Sequence, residues 1–183
     1  VWILTNANGL GGTPQWIKIV SSMPIIGQYF SMTEYDQANN RLIIFGGINQ
    51  YGLNTNGLWV LVNANGLGGT PSLVNLIPDG AVGSPPKQGD VAMAYDPTRN
   101  KALLYSGDGT VWTLVNANGL GGSPVWTQLA TPGSTPVVRW GSTFGYDPAL
   151  QRFVMWGGHN SLSFLTDSWW LDLNQPPVAE AGG

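Results

Sequence analysis

Apolar positions in this chain come in short runs, β-branched or aromatic, each bounded by Gly, Pro or Asn, which is the pattern of short strands. Phe30–Tyr35, Arg41–Phe45, Leu58–Val62 and Ser72–Ile77 form one group of four. Val91–Tyr95, Lys101–Tyr105, Val111–Val115 and Pro124–Leu129 form a second. Ser142–Tyr146, Arg152–Trp156 and Trp169–Leu173 form a third and then stop. Ahead of them, Val1–Leu4 and Gln15–Ile19 read as the third and fourth strands of a further group. No stretch has a helical period long enough to form a helix.

The turns between runs carry their own chemistry. Asp96-Pro97 and Asp147-Pro148 place Asp at a corner and a ring-fixed φ after it. Asn8-Gly9, Asn65-Gly66 and Asn118-Gly119 predict hairpin turns with positive φ at both residues. These turns sit in strings that recur. TNANGLGG begins at Thr5, and VNANGLGG begins at Val62 and again at Val115. Out of phase with it run YDQANNRLIIFGG from Tyr35, YDPTRNKALLYSG from Tyr95 and YDPALQRFVMWGG from Tyr146. A period of roughly 50–60 residues is one supersecondary unit copied in tandem.

Four antiparallel strands per unit, repeated, predict β-propeller blades. The recurring residues resemble the kelch family: Tyr35, Gly46, Gly47 and Trp59; Tyr95, Gly107 and Trp112; Tyr146, Gly157, Gly158 and Trp170. Ser106 replaces the first Gly in the middle copy. The NANGLGG string is similar to a bacterial subgroup of that family. The resemblance implies an all-β fold of kelch-like blades, about three and a quarter of them, as part of a larger propeller. The segment 1–174 divides into a partial blade 1–20, blades 30–77 and 91–129, and a partial blade 142–173. Residues 175–183 form a Pro- and Gly-rich exit that resembles the opening of polycystic-kidney-disease-type immunoglobulin-like repeats. The opening on Val1, with neither an initiator Met nor a signal peptide, reads as a processed or excised piece of a longer protein. On this reading the first and last units are incomplete. The Trp169–Leu173 edge is to be completed by further blades of the same protein or by a homo-oligomeric neighbour.

Composition narrows the function classes. Charged residues make up 9% of the chain and the net charge is −3, with no basic run to neutralise phosphates, so no nucleic-acid partner is expected. No run is long enough to suggest a membrane-spanning helix. The low charge with 26 Gly and 13 Pro is the look of an exported bacterial protein, extracellular or at the cell surface. Without Cys there is neither a disulfide nor a thiolate site, and the copper–radical chemistry of kelch-type oxidases is not expected.

Candidate chemistry is sparse. The Asn-rich loops faintly resemble Ca²⁺ loops but hold no carboxylate, and Asn side chains satisfying turn backbone explain them. Ser106–Trp112 resembles the Asp-box of sialidase propellers but is one residue short, and reads as an Asp-Gly hairpin. Asp36, Asp96 and Asp147 are expected to lie apart in separate blades, with Arg41, Lys101 and Arg152 pairing locally with turn acids. Most Trp residues, Trp59, Trp112 and Trp170 among them, are expected to point inward. No metal, no cofactor and no catalytic set is expected.

Strand alternation puts the YDPxxN and NANGLGG loops at one end of every unit, where they hardly vary. The other end varies: Ile48–Asn56, Asp108-Gly109, His159–Thr166 and the connections Ser21–Tyr29, Pro78–Asp90 and Thr131–Gly141. Irregular loops on a rigid scaffold are where binding sits. That end carries Tyr29, Tyr51, Arg139, Trp140, His159, Asn160 and Phe164, a set suited to a glycan or protein ligand. The expectation is a non-enzymatic binding or scaffolding module. The alternatives are blades of a propeller enzyme acting on glycans, or a structural repeat assembling through open edges into a fibre or shell.

Overall fold

A computed structural model of the chain describes residues 2–18, 27–131, 134–172 and 181–182. Every sheet is antiparallel. A two-stranded hairpin comes first, β1 (Trp2–Thr5) with β2 (Gln15–Lys18), and none of its residues is buried. The first large sheet holds β3 (Gln28–Tyr29), β4 (Met32–Asp36), β5 (Arg41–Asn49), β6 (Asn54–Val62) and β7 (Ser72–Ile77). The second runs in order β8 (Ala92–Asp96), β9 (Lys101–Tyr105), β10 (Val111–Val115) and β11 (Val125–Leu129). The third is β12 (Thr143–Asp147), β13 (Arg152–Trp156), β14 (Ser168–Asp172) and β15 (Ala181–Gly182).

The large sheets stack face to face, and period-two alternation decides what each face meets. Ile43, Phe45, Leu58 and Val60 of the first sheet pack on Met93, Tyr95, Leu104, Leu114 and Trp126 of the second. The opposite face of the second sheet, through Ala92, Ala94, Leu103 and Tyr105, packs on Phe153 and Met155 of the third. The middle sheet is thus covered on both faces, and all five residues of β8 are buried. The first strands line up across the stack, β4 beside β8 and β8 beside β12.

Several expectations are corrected. The strand ending at Gly46-Gly47 does not end there. Both glycines have positive φ, 60° and 103°, and a bulge between Phe45 and Gly47 carries β5 on to Asn49, with β6 lengthened to match. In the repeated loop the Asn of Asn-Gly is not left-handed. Positive φ falls instead on Asn6, Asn63 and Asn116 and on the glycines, and the Gly9 amide donates to the Asn6 carbonyl at 2.9 Å. The loop is a wider turn, because the side chain of its first Asn must span it, Asn6 Nδ2 donating to the Thr13 carbonyl at 3.3 Å. Register places Trp169, not Trp170, with Trp59 and Trp112. Arg41, Lys101 and Arg152 face Val62, Val115 and Asp172, and each Trp stands three residues before that partner. Trp126 is buried and Trp112, as expected, packs against the core, as does Trp169, whereas Trp2, Trp16 and Trp156 are exposed and Trp59, Trp140 and Trp170 are half-buried. Finally, the third sheet has a fourth strand, of two residues, which pairs with Ser168 and Trp169. The rest of the expected exit, 175–180 and 183, lies outside the described residues, as does part of the connection Ser21–Tyr29.

Candidate functional site

The uniform end is built from Asn side chains. Asn40, left-handed with φ 52°, donates through Nδ2 to Asn65 Oδ1 at 2.6 Å and to the Leu67 carbonyl at 2.8 Å, and its Oδ1 accepts the Asn65 amide. Asn100 repeats this with Asn118 and Leu120. In the first and second large sheets the first turn thus pins the loop between the third and fourth strands of its unit, and the two loops share one end as the alternation requires. The glycines closing that loop leave room for the clamp: a Cβ on Gly69 or Gly122 would lie 2.7 or 2.8 Å from the amide nitrogen of Asn63 or Asn116.

The same end joins successive sheets, which sequence reasoning missed. Asp36 is buried and accepts Asn118 Nδ2 at 2.6 Å, Asn39 Nδ2 at 2.8 Å and the Tyr95 hydroxyl at 3.4 Å. Burial pushes its carboxyl up, but these bonds outweigh burial and hold it below the ordinary value. Asp96 is equally buried and accepts from Thr98 and from Arg99, which also reaches the Tyr146 hydroxyl at 3.4 Å. Tyr95 feels both acids: its phenol is pushed up by burial first and then by Asp36 and Asp96. Asp36 and Asp96 lie in separate units, as expected, but each is buried against the unit that follows. Each is the socket for the next unit's Tyr. Arg41 likewise does not pair with its turn acid but crosses to the Asn118 carbonyl at 3.0 Å. Arg152 approaches Asp172 at 3.8 Å, on the neighbouring strand. The signal was present in the sequence, in that Tyr-Asp recurs as a pair, but one unit read alone cannot show that the two halves serve different partners.

At the variable end, Trp140, His159 and Phe164 are brought together. Trp140 and His159 exchange backbone hydrogen bonds at 2.9 Å, and His159 bridges to Phe164. The rings stand 6.1 Å apart for Trp140 with His159 and 6.3 Å for His159 with Phe164. His159 and Phe164 are exposed. Asn160 shapes the turn, its Oδ1 accepting the Leu162 and Ser163 amides at 2.9 Å. Arg139 is buried and grips Asp167 through both terminal nitrogens, at 2.6 and 2.8 Å, while donating to the Gly157 carbonyl. That grip holds the Asp167 carboxyl down at about 2. The guanidinium is committed to fixing this loop, and its neighbour Trp140 is positioned by it. Gln28 and Gln88 occupy the equivalent place: Gln28 Nε2 donates to the Thr55 hydroxyl, and Gln88 Oε1 accepts the Gly107 amide. Tyr29 is exposed beside Phe30, ring centroids 5.2 Å apart, and Tyr51 is exposed at the tip of the β5–β6 hairpin. Among the described residues no ring pair or hydrogen bond joins Tyr29 or Tyr51 to Trp140, His159 or Phe164.

Three residues just before β4, β8 and β12 are left-handed: Phe30, Asp90 and Gly141, with φ of 55°, 58° and 62°. The Asp90 amide donates to Phe30 and the Gly141 amide to Asp90, each at 3.5 Å, so a backbone ladder crosses all three sheets at this end. Asp90 flanks Gly141 together with His159: a Cβ there would lie 3.7 Å from Asp90 Oδ2 and 3.6 Å from His159 Cδ2. A non-glycine residue at positive φ marks a place the surrounding structure insists on. Only the Gly at 141 hinted at it in the sequence.

Glu34 is a second residue outside the expected set. It sits on β4 opposite Ile43, half-buried, and burial pushes its carboxyl up to about 7. Among the described residues no group of three His, Asp or Glu side chains is placed to hold a metal, and no helix is long and apolar enough to cross a membrane. The Ser106–Trp112 segment is a hairpin turn, with Asp108 Oδ1 accepting the Thr110 amide at 3.0 Å and hydroxyl at 2.6 Å. An apolar pocket opens between the second and third sheets, lined by Leu103, Tyr105, Phe153, Met155 and Trp169, and it shares no residue with the variable-end set.

No protein-family model matches this chain, and no curated protein matches it. It is an all-β protein of small antiparallel sheets, four-stranded sheets among them.

Proposed function

We propose that the chain is a segment of a kelch-like β-propeller that works as a non-enzymatic binding or scaffolding module, exported to the cell surface or beyond. Face-to-face stacking of the sheets with their first strands in line supports the propeller arrangement. The low charge, with 26 Gly and 13 Pro, supports export.

The observation that carries the binding role is the contrast between the two ends. At the uniform end, Asn, Asp and Tyr side chains are consumed in holding loops and units together. At the variable end, half-buried Trp140 and exposed His159 and Phe164 lie side by side on two loops that Arg139 ties together through Asp167 and the Gly157 carbonyl. Rigid aromatic faces with adjacent Asn and Asp groups suit the apolar face and hydroxyls of a sugar, or a peptide side chain. Tyr51 and Tyr29 extend the surface if the ligand is long.

The test is a panel of oligosaccharides and peptides screened by Trp fluorescence and followed by calorimetry. The Trp140→Ala/Tyr51→Ala double variant is expected to lose at least tenfold in affinity, and Asn65→Ala at the uniform end to lose none. Equal losses from both, with the fold intact, would contradict the assignment.

A further inference from the structure

The string VNANGLGG occurs in two settings within the described sheets. In the second sheet it is docked: Asn118 is 3% exposed, donating to Asp36 of the first sheet, and Ala117 is fully buried. In the first sheet the same string is bare. Asn65 is exposed, Ala64 is half-buried, and Leu67 is 70% exposed against 37% for Leu120. Sequence is constant, so the difference comes from the neighbour. Tyr35 matches this. Its equivalents Tyr95 and Tyr146 sit at the preceding unit's Asp, but Tyr35 is 42% exposed and among the described residues its hydroxyl reaches only Asn40.

The far face of the third sheet is the complement. Ile43 and Phe45 on β5, and Leu103 and Tyr105 on β9, are buried against the sheet that follows. Val154 and Trp156 hold the same places on β13 and are 41% and 59% exposed. Asp147 stands where Asp36 and Asp96 stand, yet among the described residues its carboxylate meets the amides of its own turn, Ala149 and Leu150, and no next unit. Arg152 stands where Arg41 reaches across to Asn118. The hairpin β1–β2 buries nothing of its own and leaves Tyr35 and Asn65 exposed.

From these matched halves we infer that the chain associates head to tail with a second copy of itself. The Tyr35–Asn65 face of one copy seats on the Asp147–Val154–Trp156 face of another and repeats the contact already made twice within each chain. The occupant is a second copy because both halves of the contact are present on one chain, in a form the chain itself shows to be self-complementary between units. The interface is heterologous, one patch meeting a different patch, so it can close into a ring or continue. It does not depend on the ligand reading, and it leaves the variable end free.

Complementation tests the polarity. Sedimentation velocity on the wild-type chain is expected to show dimers or larger species that dissociate on dilution. Tyr35→Glu spoils only the head and Trp156→Glu only the tail, so each variant alone is expected to be monomeric. Mixed in equal amounts, the two retain one intact head and one intact tail, and are expected to form a dimer that grows no further. Leu67→Glu with Val154→Glu serves as a second pair should either first variant show an altered circular dichroism spectrum. A wild type that stays monomeric at every concentration overturns the inference, and leaves the faces to blades of a longer polypeptide or to an unrelated protein. Variants that still self-associate, or a mixture that stays monomeric, overturn it as well.

Discussion

Two kinds of buried carboxylate set the pH response of this protein, and they act in opposite directions. Asp36 and Asp96 have folded-state pKa values below their ordinary 3.8, since hydrogen bonds overcome burial. Their contribution to stability is present above that value and is lost as pH falls through the folded-state values. Glu34 is raised from 4.5 to about 7 by burial, so it costs nothing in acid and destabilises progressively as pH rises through 7. Glu34→Gln is expected to raise the melting temperature at pH 8 and leave it unchanged at pH 4, by scanning calorimetry. Asp36→Ala strands Asn118, Asn39 and Tyr95 and is expected to cost about 2–4 kcal/mol in urea unfolding at pH 7. Asp147→Ala, which caps only its own turn, is expected to cost about 1 kcal/mol. Asp36 and Asp96 read in the sequence as turn punctuation. Their burial was invisible there because it is imposed by a neighbour roughly one period away.

At the level of strands, legibility followed locality. Lys101–Tyr105, Val111–Val115 and Arg152–Trp156 have the limits their alternation predicts, because turn residues on both sides enforce them. Where the glycine pair bulges instead of breaking the strand, the prediction stopped early, since Gly reads equally as end or bulge. The Trp169/Trp170 exchange has the same root: two adjacent Trp satisfy any spacing rule, and only register decides which face each takes. Gly47 makes the bulge testable. Its φ of 103° excludes most side chains, and a Cβ there would collide with Ser31 Oγ and lie 2.9 Å from the Tyr29 carbonyl. Gly47→Ala is expected to cost at least about 2 kcal/mol. Gly52→Ala, at φ 76° with nothing near it, is expected to cost about 1 kcal/mol. Of the variable-end set, the sequence named the residues but not their grouping. Trp140 joins His159 and Phe164 only through a long-range bridge, and Arg139 turned inward because Asp167 was there to meet it.

Across the whole molecule, stability is graded by how many neighbours each sheet has. The middle sheet is sandwiched, the outer sheets are covered on one face, and β1–β2 on neither. Amide exchange is expected to be slowest in β8 and β9, intermediate in β5 and β13, and fastest in β1 and β2, in a native-state hydrogen-exchange experiment. Exchange in β12–β13 as slow as in β8 at low concentration would mean that the third sheet is covered by something other than a second copy. The tandem arrangement was the most legible feature in the sequence, because a repeat announces itself at any single position. How the units contact one another was the least legible, because identical strings carry no information about what lies beside them.

The three Asn-Gly pairs of the repeated loop make a chemical clock. An Asn side chain followed by Gly deamidates when its carboxamide carbon swings onto the next backbone nitrogen, and every hydrogen bond to the amide slows that swing. Asn8 is held through one acceptor bond, to the Leu10 amide. Asn65 accepts two, and Asn118 accepts two and also donates to Asp36. Stored protein would therefore age in the order Asn8, Asn65, Asn118, read by peptide mass spectrometry. Ageing at Asn118 would be slowest and most damaging, since it sets a new carboxylate against the one at Asp36. A second copy seated on Asn65 would slow the middle member of the series alone.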